Sequence, residues 1–175
     1  MGIYFNPENQ KFFQAINSKI YVDKTGLISF ANEQLNTMQR FVCVSRPRRF
    51  GKSMAANMLT AYYSRGCDSK DLFSGLEIAQ DQSFLTHLNQ YDTIFLNMQE
   101  FLSQSKDMER MISLLKKSVL WELLEEYPDF RYFDTSNLTR TMQDIYQNTK
   151  RPFIVIIDEW DCIYREYREK KEEQE

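Results

Sequence analysis

The chain has 175 residues, of which 42% are hydrophobic and 14% aromatic, and its formal net charge at pH 7 is −3. These values favour one globular domain with a sizeable core, and they disfavour a disordered segment or a generic nucleic-acid-binding protein. The cysteines Cys43, Cys67 and Cys162 form no Cys-x-x-Cys pair, which argues against a zinc site and a disulfide framework. Without a visible signal peptide or membrane-spanning apolar run, we expect a soluble cytoplasmic protein.

Predicted helices and strands alternate along the chain. Residues 1–39 are predicted to be a mainly helical lead-in, in which Asp23 caps a helix over about 24–36. Apolar runs typical of buried strands occur at 41–45, 93–98 and 153–158. Helical periodicity occurs at 54–63, at 106–127 and from Thr135 or Ser136 onward. The composition of the charged tail over 163–175 predicts a further, solvated helix. This alternation predicts an α/β fold with a parallel sheet and helices on both faces.

An arginine-rich loop follows the first predicted strand and ends in Gly-Lys-Ser, just before a helix. A phosphate-binding loop occurs in this context, because backbone N–H groups and the helix dipole then face the phosphates. Gly51 would let the backbone approach closely, Lys52 would neutralise the β- and γ-phosphates, and the Ser53 hydroxyl would ligate Mg²⁺. The residues predicted to bind the nucleotide are Arg48, Arg49, Phe50, Gly51, Lys52 and Ser53.

The last predicted strand ends in two adjacent carboxylates, Asp158 and Glu159, as a Walker B element does. Asp158 would hold Mg²⁺ together with Ser53, and Glu159 would orient or deprotonate the attacking water while Lys52 stabilises the reacting phosphates. The alternative is a core strand followed by a solvated acidic turn. The occurrence of both motifs in the expected order favours a site for ATP and Mg²⁺.

Three strings give the chain a resemblance to a known family: Tyr21-Val22-Asp23-Lys24-Thr25, the residues of 45–53, and Ile156-Ile157-Asp158-Glu159. They are similar to the AAA-ATPase-like domain of bacterial and mobile-element proteins, and the resemblance covers nearly the whole chain. It implies a P-loop NTPase fold with Lys52 and Glu159 in the roles given above, in the cytoplasm of a bacterium or a phage-infected cell. Family members often carry a PD-(D/E)xK-type nuclease-like domain after the ATPase, and no such domain is visible here.

The chain departs from this pattern in two ways. Arg46 stands where the generic phosphate loop has a glycine. In the family, a strand carrying a polar sensor residue and a further strand follow the Walker B helix, so we expect an incomplete sheet that lacks both. In related NTPases the sensor strand lies between the two motif strands. Unpaired buried backbone groups cost on the order of a few kcal/mol each, so we expect either direct pairing of 41–45 with 153–158 or a partner that fills the gap.

The predicted organisation is one truncated domain over residues 1–175. Residues 1–39 are the predicted lead-in, and 40–65 the Walker A-like strand, loop and helix. Residues 66–151 hold the second strand with its helices, and 152–175 hold the Walker B-like strand with its terminal helix.

Three functional hypotheses remain open. The first is ATP binding with weak or no hydrolysis. The second is a non-catalytic phage or mobile-element protein that inhibits a host nuclease, for example an anti-CRISPR, by protein contact or by DNA contact through Arg46, Arg48, Arg49 and Lys52. The third is a fragment of a longer ATPase. The sequence indicates no membrane partner and leaves the oligomeric state open.

Overall fold

The computed structural model describes residues 2–45, 47, 49–105 and 107–165. Two strands and eight helices are assigned within these ranges. In chain order they are α1 (Gln10–Ile16), α2 (Gly26–Gln34), α3 (Lys52–Tyr63), α4 (Lys70–Phe73), α5 (Phe84–His87), β1 (Asp92–Asn97), α6 (Met98–Ser103), α7 (Met108–Glu126), α8 (Leu138–Thr149) and β2 (Phe153–Asp158). A 3₁₀ turn over Glu77–Gln80 lies between α4 and α5.

Three consecutive helices begin at polar capping residues. Asn97 accepts hydrogen bonds from the N–H groups of the first turn of α6, and Asp107 and Asn137 do the same for α7 and α8. Such caps satisfy N–H groups that have no partner inside the helix. The two longer helices lie within a few residues of their predicted positions, because caps and apolar periodicity are local features of the sequence.

The sheet consists of β1 and β2, which run parallel and in register from the Asp92–Phe153 pair to the Asn97–Asp158 pair. The outer edge of β1 is covered by the N-terminal segment: the Phe95 N–H donates to the Tyr4 carbonyl (2.8 Å), and the segment continues alongside the strand. The Glu122 carboxylate on α7 holds this segment by accepting three of its backbone N–H groups, at 2.7–2.9 Å.

Apolar clusters lie on the two faces of the sheet. One packs α1, α2 and α3 with the following short helices around Phe12, Ile28 and Tyr62, and Ile154 of β2 contacts it. The other packs α6, α7 and α8 against Ile94 and Leu96 of β1. Neighbouring residues of a strand point to opposite faces, so both faces of the sheet carry helices, as predicted. The architecture is α/β and is consistent with an incomplete P-loop-like fold.

The predicted strand at 41–45 is wrong. These residues have no regular secondary structure and all five are exposed, with Phe41 at 85%. Cys43, in the middle of this run, is exposed as well. An apolar run forms a strand only where a neighbouring strand pairs with it. Direct pairing with β2 is therefore also wrong, since β1 is the only strand that pairs with β2 in the described residues.

The far edge of β2 has no strand beside it in the described part of the chain. On the face shared with Ile94 and Leu96, the β2 side chains Val155 and Ile157 are 48% and 49% exposed. The α7–α8 cluster thus buries β1 more completely than β2 on this face. The alternative expectation, that a partner fills the gap beside β2, stays a prediction.

None of the helices in the described ranges has the length and apolarity needed to cross a membrane. Residues 162–165 are helical, and the rest of the predicted tail helix, 166–175, lies outside the described residues.

Candidate functional site

The candidate site begins at the N-terminus of α3. Gly51 precedes the helix in the left-handed conformation (φ 80°, ψ 26°), which glycine adopts without the steric cost that a Cβ imposes. Its carbonyl accepts the first helical hydrogen bond, from the Ala55 N–H at 2.9 Å. Gly51 has no side chain to cap the helix, so the positive end of the α3 dipole faces the loop without a capping oxygen.

A pocket of about 610 Å³ lies at this end of α3. Three parts of the chain contribute polar lining residues. These are Arg49, Gly51, Lys52 and Ser53 from the loop and α3, Asn97 and Gln99 from the end of β1 and the start of α6, and Glu159 and Arg165 from the segment after β2. The structure therefore brings the Gly-Lys-Ser loop and one member of the acidic pair to the same pocket, whereas their chemical roles stay predictions.

The acidic pair sits at the carboxyl end of β2. Asp158 is 5% exposed, lies in register with Asn97 of β1, and accepts the Glu159 N–H through Oδ1 at 3.0 Å. Glu159 has a φ of +54°, a left-handed conformation that is costly for a residue with a side chain and is found disproportionately at functional sites. Its Oε2 lies 2.9 Å from Nη2 of Arg165.

A lysine supports the loop from outside the pocket lining. Nζ of Lys24 donates to the Phe50 carbonyl at 3.1 Å, and it is also the nearest atom, at 3.1 Å, to the position that a Cβ on Gly51 would take. The described peptide bonds are all trans, so the Phe50 carbonyl and the Gly51 N–H point in opposite directions. Lys24 thus holds the peptide between Phe50 and Gly51 in an orientation in which the Gly51 N–H is directed away from the lysine.

Lys24 is positioned by its neighbour Asp23. The Asp23 carboxylate accepts the N–H and hydroxyl of Thr25 (2.8 and 2.7 Å) and the Glu77 N–H (2.8 Å). Partial burial raises the pKa of Asp23, but these hydrogen bonds favour the ionised form more strongly, and the net pKa is below the usual value. Asp23 was predicted to cap a helix starting at about residue 24. It instead braces a turn, and α2 starts two residues later than predicted.

The remaining predicted site residues are placed as follows. Phe50 is 61% exposed, and it contributes its carbonyl to Lys24 but is not part of the pocket lining. Arg46 and Arg48 lie outside the described residues. Of the four cations of the predicted DNA-contacting patch, the two that are described, Arg49 and Lys52, both line the pocket.

The predicted Mg²⁺ ligands are Ser53, which lines the pocket, and Asp158, which directly precedes Glu159. Within the described ranges no group of three or more His, Cys, Asp or Glu residues could hold a metal ion. A nucleotide-bound Mg²⁺ needs no such group, because phosphate oxygens and water supply most of its ligands and the protein contributes one or two. A hydroxyl and a carboxylate are oxygen ligands of the kind that Mg²⁺ prefers.

Sequence reasoning missed four residues of this site: Lys24, Asn97, Gln99 and Arg165. Asn97 could have been found, because it is the next-to-last residue of the predicted strand at 93–98, and ligands of parallel sheets bind beyond the carboxyl ends of the strands. Gln99 lies two residues after Asn97 in the chain and lines the same pocket. Arg165 belongs to the charged tail, for which the sequence predicts only a helix. Only the turn at Glu159 brings it back to the pocket.

The family model described as "Predicted AAA-ATPase" matches residues 10–175, which is nearly the whole chain. Comparisons with curated proteins and with solved structures found no match. The matched range includes both the loop before α3 and the acidic pair after β2. The chain therefore belongs to the AAA-ATPase-like family.

Proposed function

We propose that this chain binds ATP with Mg²⁺ in the pocket at the N-terminus of α3. The observation that carries the proposal is that the loop residues Gly51, Lys52 and Ser53 line the same pocket as Glu159, which lies far from them in sequence. A phosphate-binding loop and the acidic end of a neighbouring strand must meet in this way to hold a nucleotide and its metal ion.

The charge of the pocket supports an anionic ligand. Among the described side chains that line it, Arg49, Lys52 and Arg165 are cationic and Glu159 is the one anionic residue. The dipole of α3 adds partial positive charge at the same end. In the proposed complex, Lys52 contacts the β- and γ-phosphates, Arg48, Arg49, Phe50 and Gly51 form the loop around them, and Ser53 and Asp158 bind Mg²⁺.

We further propose that hydrolysis is weak or absent in this chain on its own. Glu159 is the residue that would activate water, and fast hydrolysis also requires an arginine that stabilises the transferring phosphate. An arginine supplied by another subunit can raise the rate of phosphoryl transfer by roughly 10³–10⁵, so the isolated chain would lack that acceleration.

The test is nucleotide binding measured by calorimetry with Mg·ATP. We expect binding by the unmodified chain and at least about a tenfold weaker affinity for Lys52→Ala, since a charge-assisted contact with phosphate is lost. Lys117→Ala is the matched control, because this exposed lysine on α7 removes the same charge away from the pocket lining. Absence of binding at millimolar ATP would refute the proposal.

One observation favours the second hypothesis, an inhibitor that acts through protein contact. Exposed apolar side chains occur on β2 and at 41–45, among them Val155, Ile157 and Phe41. Exposed apolar surface of this kind often marks an interaction site. Capture of a nuclease that persists in Lys52→Ala and Glu159→Gln would favour this function, and loss of capture in these variants would count against it.

A further inference from the structure

Arg165 lies in the candidate pocket, and the described part of the chain uses only a small share of its hydrogen-bonding capacity. Its Nη2 is 2.9 Å from Oε2 of Glu159 and 3.7 Å from Oδ1 of Asp161. Among the described residues these are the polar side chains that contact the guanidinium. A guanidinium carries five N–H donors in a planar fork, so Nε and Nη1 remain able to bind a further anion.

The chain after β2 is shaped to bring Arg165 to this position. The left-handed turn at Glu159 reverses the chain, and the Cys162 N–H then donates to the Glu159 carbonyl at 3.1 Å. Cys162 itself is buried. The Arg165 N–H donates to the Asp161 carbonyl at 3.3 Å, which completes a helical turn and returns the guanidinium to Glu159.

We propose that Arg165 is a ligand of the terminal phosphate of a nucleoside triphosphate, and that Glu159 holds it at the pocket until the nucleotide binds. The inference rests on the proposed function, because it assigns a further phosphate ligand to the same site. A terminal phosphate carries more negative charge than a carboxylate and accepts a bidentate pair of N–H donors from arginine. It therefore competes with Glu159 for the guanidinium.

This competition has two consequences. A diphosphate lacks the group that would engage Arg165, so the arginine favours triphosphate over diphosphate. Release of Arg165 also frees the Glu159 carboxylate, so that the residue proposed to activate water becomes available only when a triphosphate is present. The two effects are linked, because Glu159 and the terminal phosphate compete for Arg165. The free energy that is needed to break the Arg165–Glu159 pair is lost from the binding free energy of the triphosphate.

The experiment measures dissociation constants for ADP and for a non-hydrolysable ATP analogue, each with Mg²⁺, in Arg165→Ala, Glu159→Gln and the double variant. We expect Arg165→Ala to weaken analogue binding about tenfold and ADP binding less than about twofold. Glu159→Gln should tighten analogue binding about threefold in the presence of Arg165 and leave it unchanged in the Arg165→Ala background. Arg110→Ala is the matched control, since Arg110 is an exposed arginine of α7 that pairs with Asp107 in the same helical region.

Equal weakening of both nucleotides by Arg165→Ala would overturn the inference, as would an effect of Glu159→Gln that is the same in both backgrounds. If Arg165→Ala does not fold, Arg165→Lys provides the test, because it keeps the charge but loses the fork and should retain only part of the preference for the triphosphate. Nucleotide binding that depends on Lys52 but not on Arg165 would remove this inference alone. Absence of any nucleotide binding would remove the proposed function as well.

Discussion

Replacing Gly51 by alanine tests the loop conformation on which the candidate site depends. Gly51 has a φ of +80°, and an L-residue in the left-handed region costs about 1–2 kcal/mol. The new Cβ would also lie 3.1 Å from Nζ of Lys24. Moving the lysine aside would weaken its hydrogen bond to the Phe50 carbonyl, which adds about 0.5–1 kcal/mol.

These costs are partly offset, because alanine lowers the conformational entropy of the unfolded chain by an equivalent of about 0.4–1 kcal/mol. We therefore expect Gly51→Ala to lower the free energy of unfolding by about 0.5–2.5 kcal/mol, measured by equilibrium denaturation in urea. The same variant should bind Mg·ATP more weakly, since the N–H groups of the loop would be displaced.

Gly75→Ala is the matched control for Gly51→Ala. Its φ lies outside the left-handed range, and no atom lies within 4 Å of the position that its Cβ would take. We expect this substitution to be neutral or to stabilise the chain by up to about 1 kcal/mol. Equal free energies of unfolding for the two variants, within about 0.5 kcal/mol, would refute the assigned loop conformation.

Three further substitutions test the surroundings of the site. Glu122→Gln should lower the free energy of unfolding by about 2 kcal/mol in urea denaturation, because an amide cannot accept all three N–H groups of the N-terminal segment. The control is Glu125→Gln, at an exposed position of the same helix, which should change the free energy of unfolding by less than about 0.5 kcal/mol. Thr93→Val should raise the free energy of unfolding by about 1 kcal/mol, since the buried Thr93 hydroxyl has no hydrogen-bond partner in the described residues. An unchanged or lower free energy of unfolding would contradict this. Lys24→Met should weaken Mg·ATP binding about threefold in calorimetry while Lys24→Arg retains most of it, and equal binding by both variants would show that the contact with Phe50 does not position the loop.

Elements set by local pattern could be predicted from the sequence. Both strands of the sheet were found from their apolar runs, and α7 was found from its repeating apolar face. The same reasoning failed at 41–45, which also carries an apolar run. The difference is tertiary: β1 and β2 pair with each other, and no described strand pairs with 41–45. A sequence pattern reports that a segment could be buried, but not that a neighbour is present to bury it.

The candidate site shows the same division. Lys52 and Glu159 were predicted because each belongs to a short motif with a physical role. Arg165 and Lys24 reach the site through backbone geometry instead. Arg165 depends on the left-handed turn at Glu159, and Lys24 depends on an anchor formed by Asp23 with the Glu77 N–H, 54 residues away. Contacts that depend on such turns and long-range anchors are not visible in local sequence patterns.

The most direct test of the central claim is a crystal structure with a non-hydrolysable ATP analogue and Mg²⁺. We predict that the β- and γ-phosphates lie within hydrogen-bonding distance of the backbone N–H groups of Gly51 and Lys52, and that Mg²⁺ contacts the Ser53 hydroxyl on the side facing Asp158. A nucleotide bound elsewhere, or phosphates that do not contact the N-terminus of α3, would contradict the account.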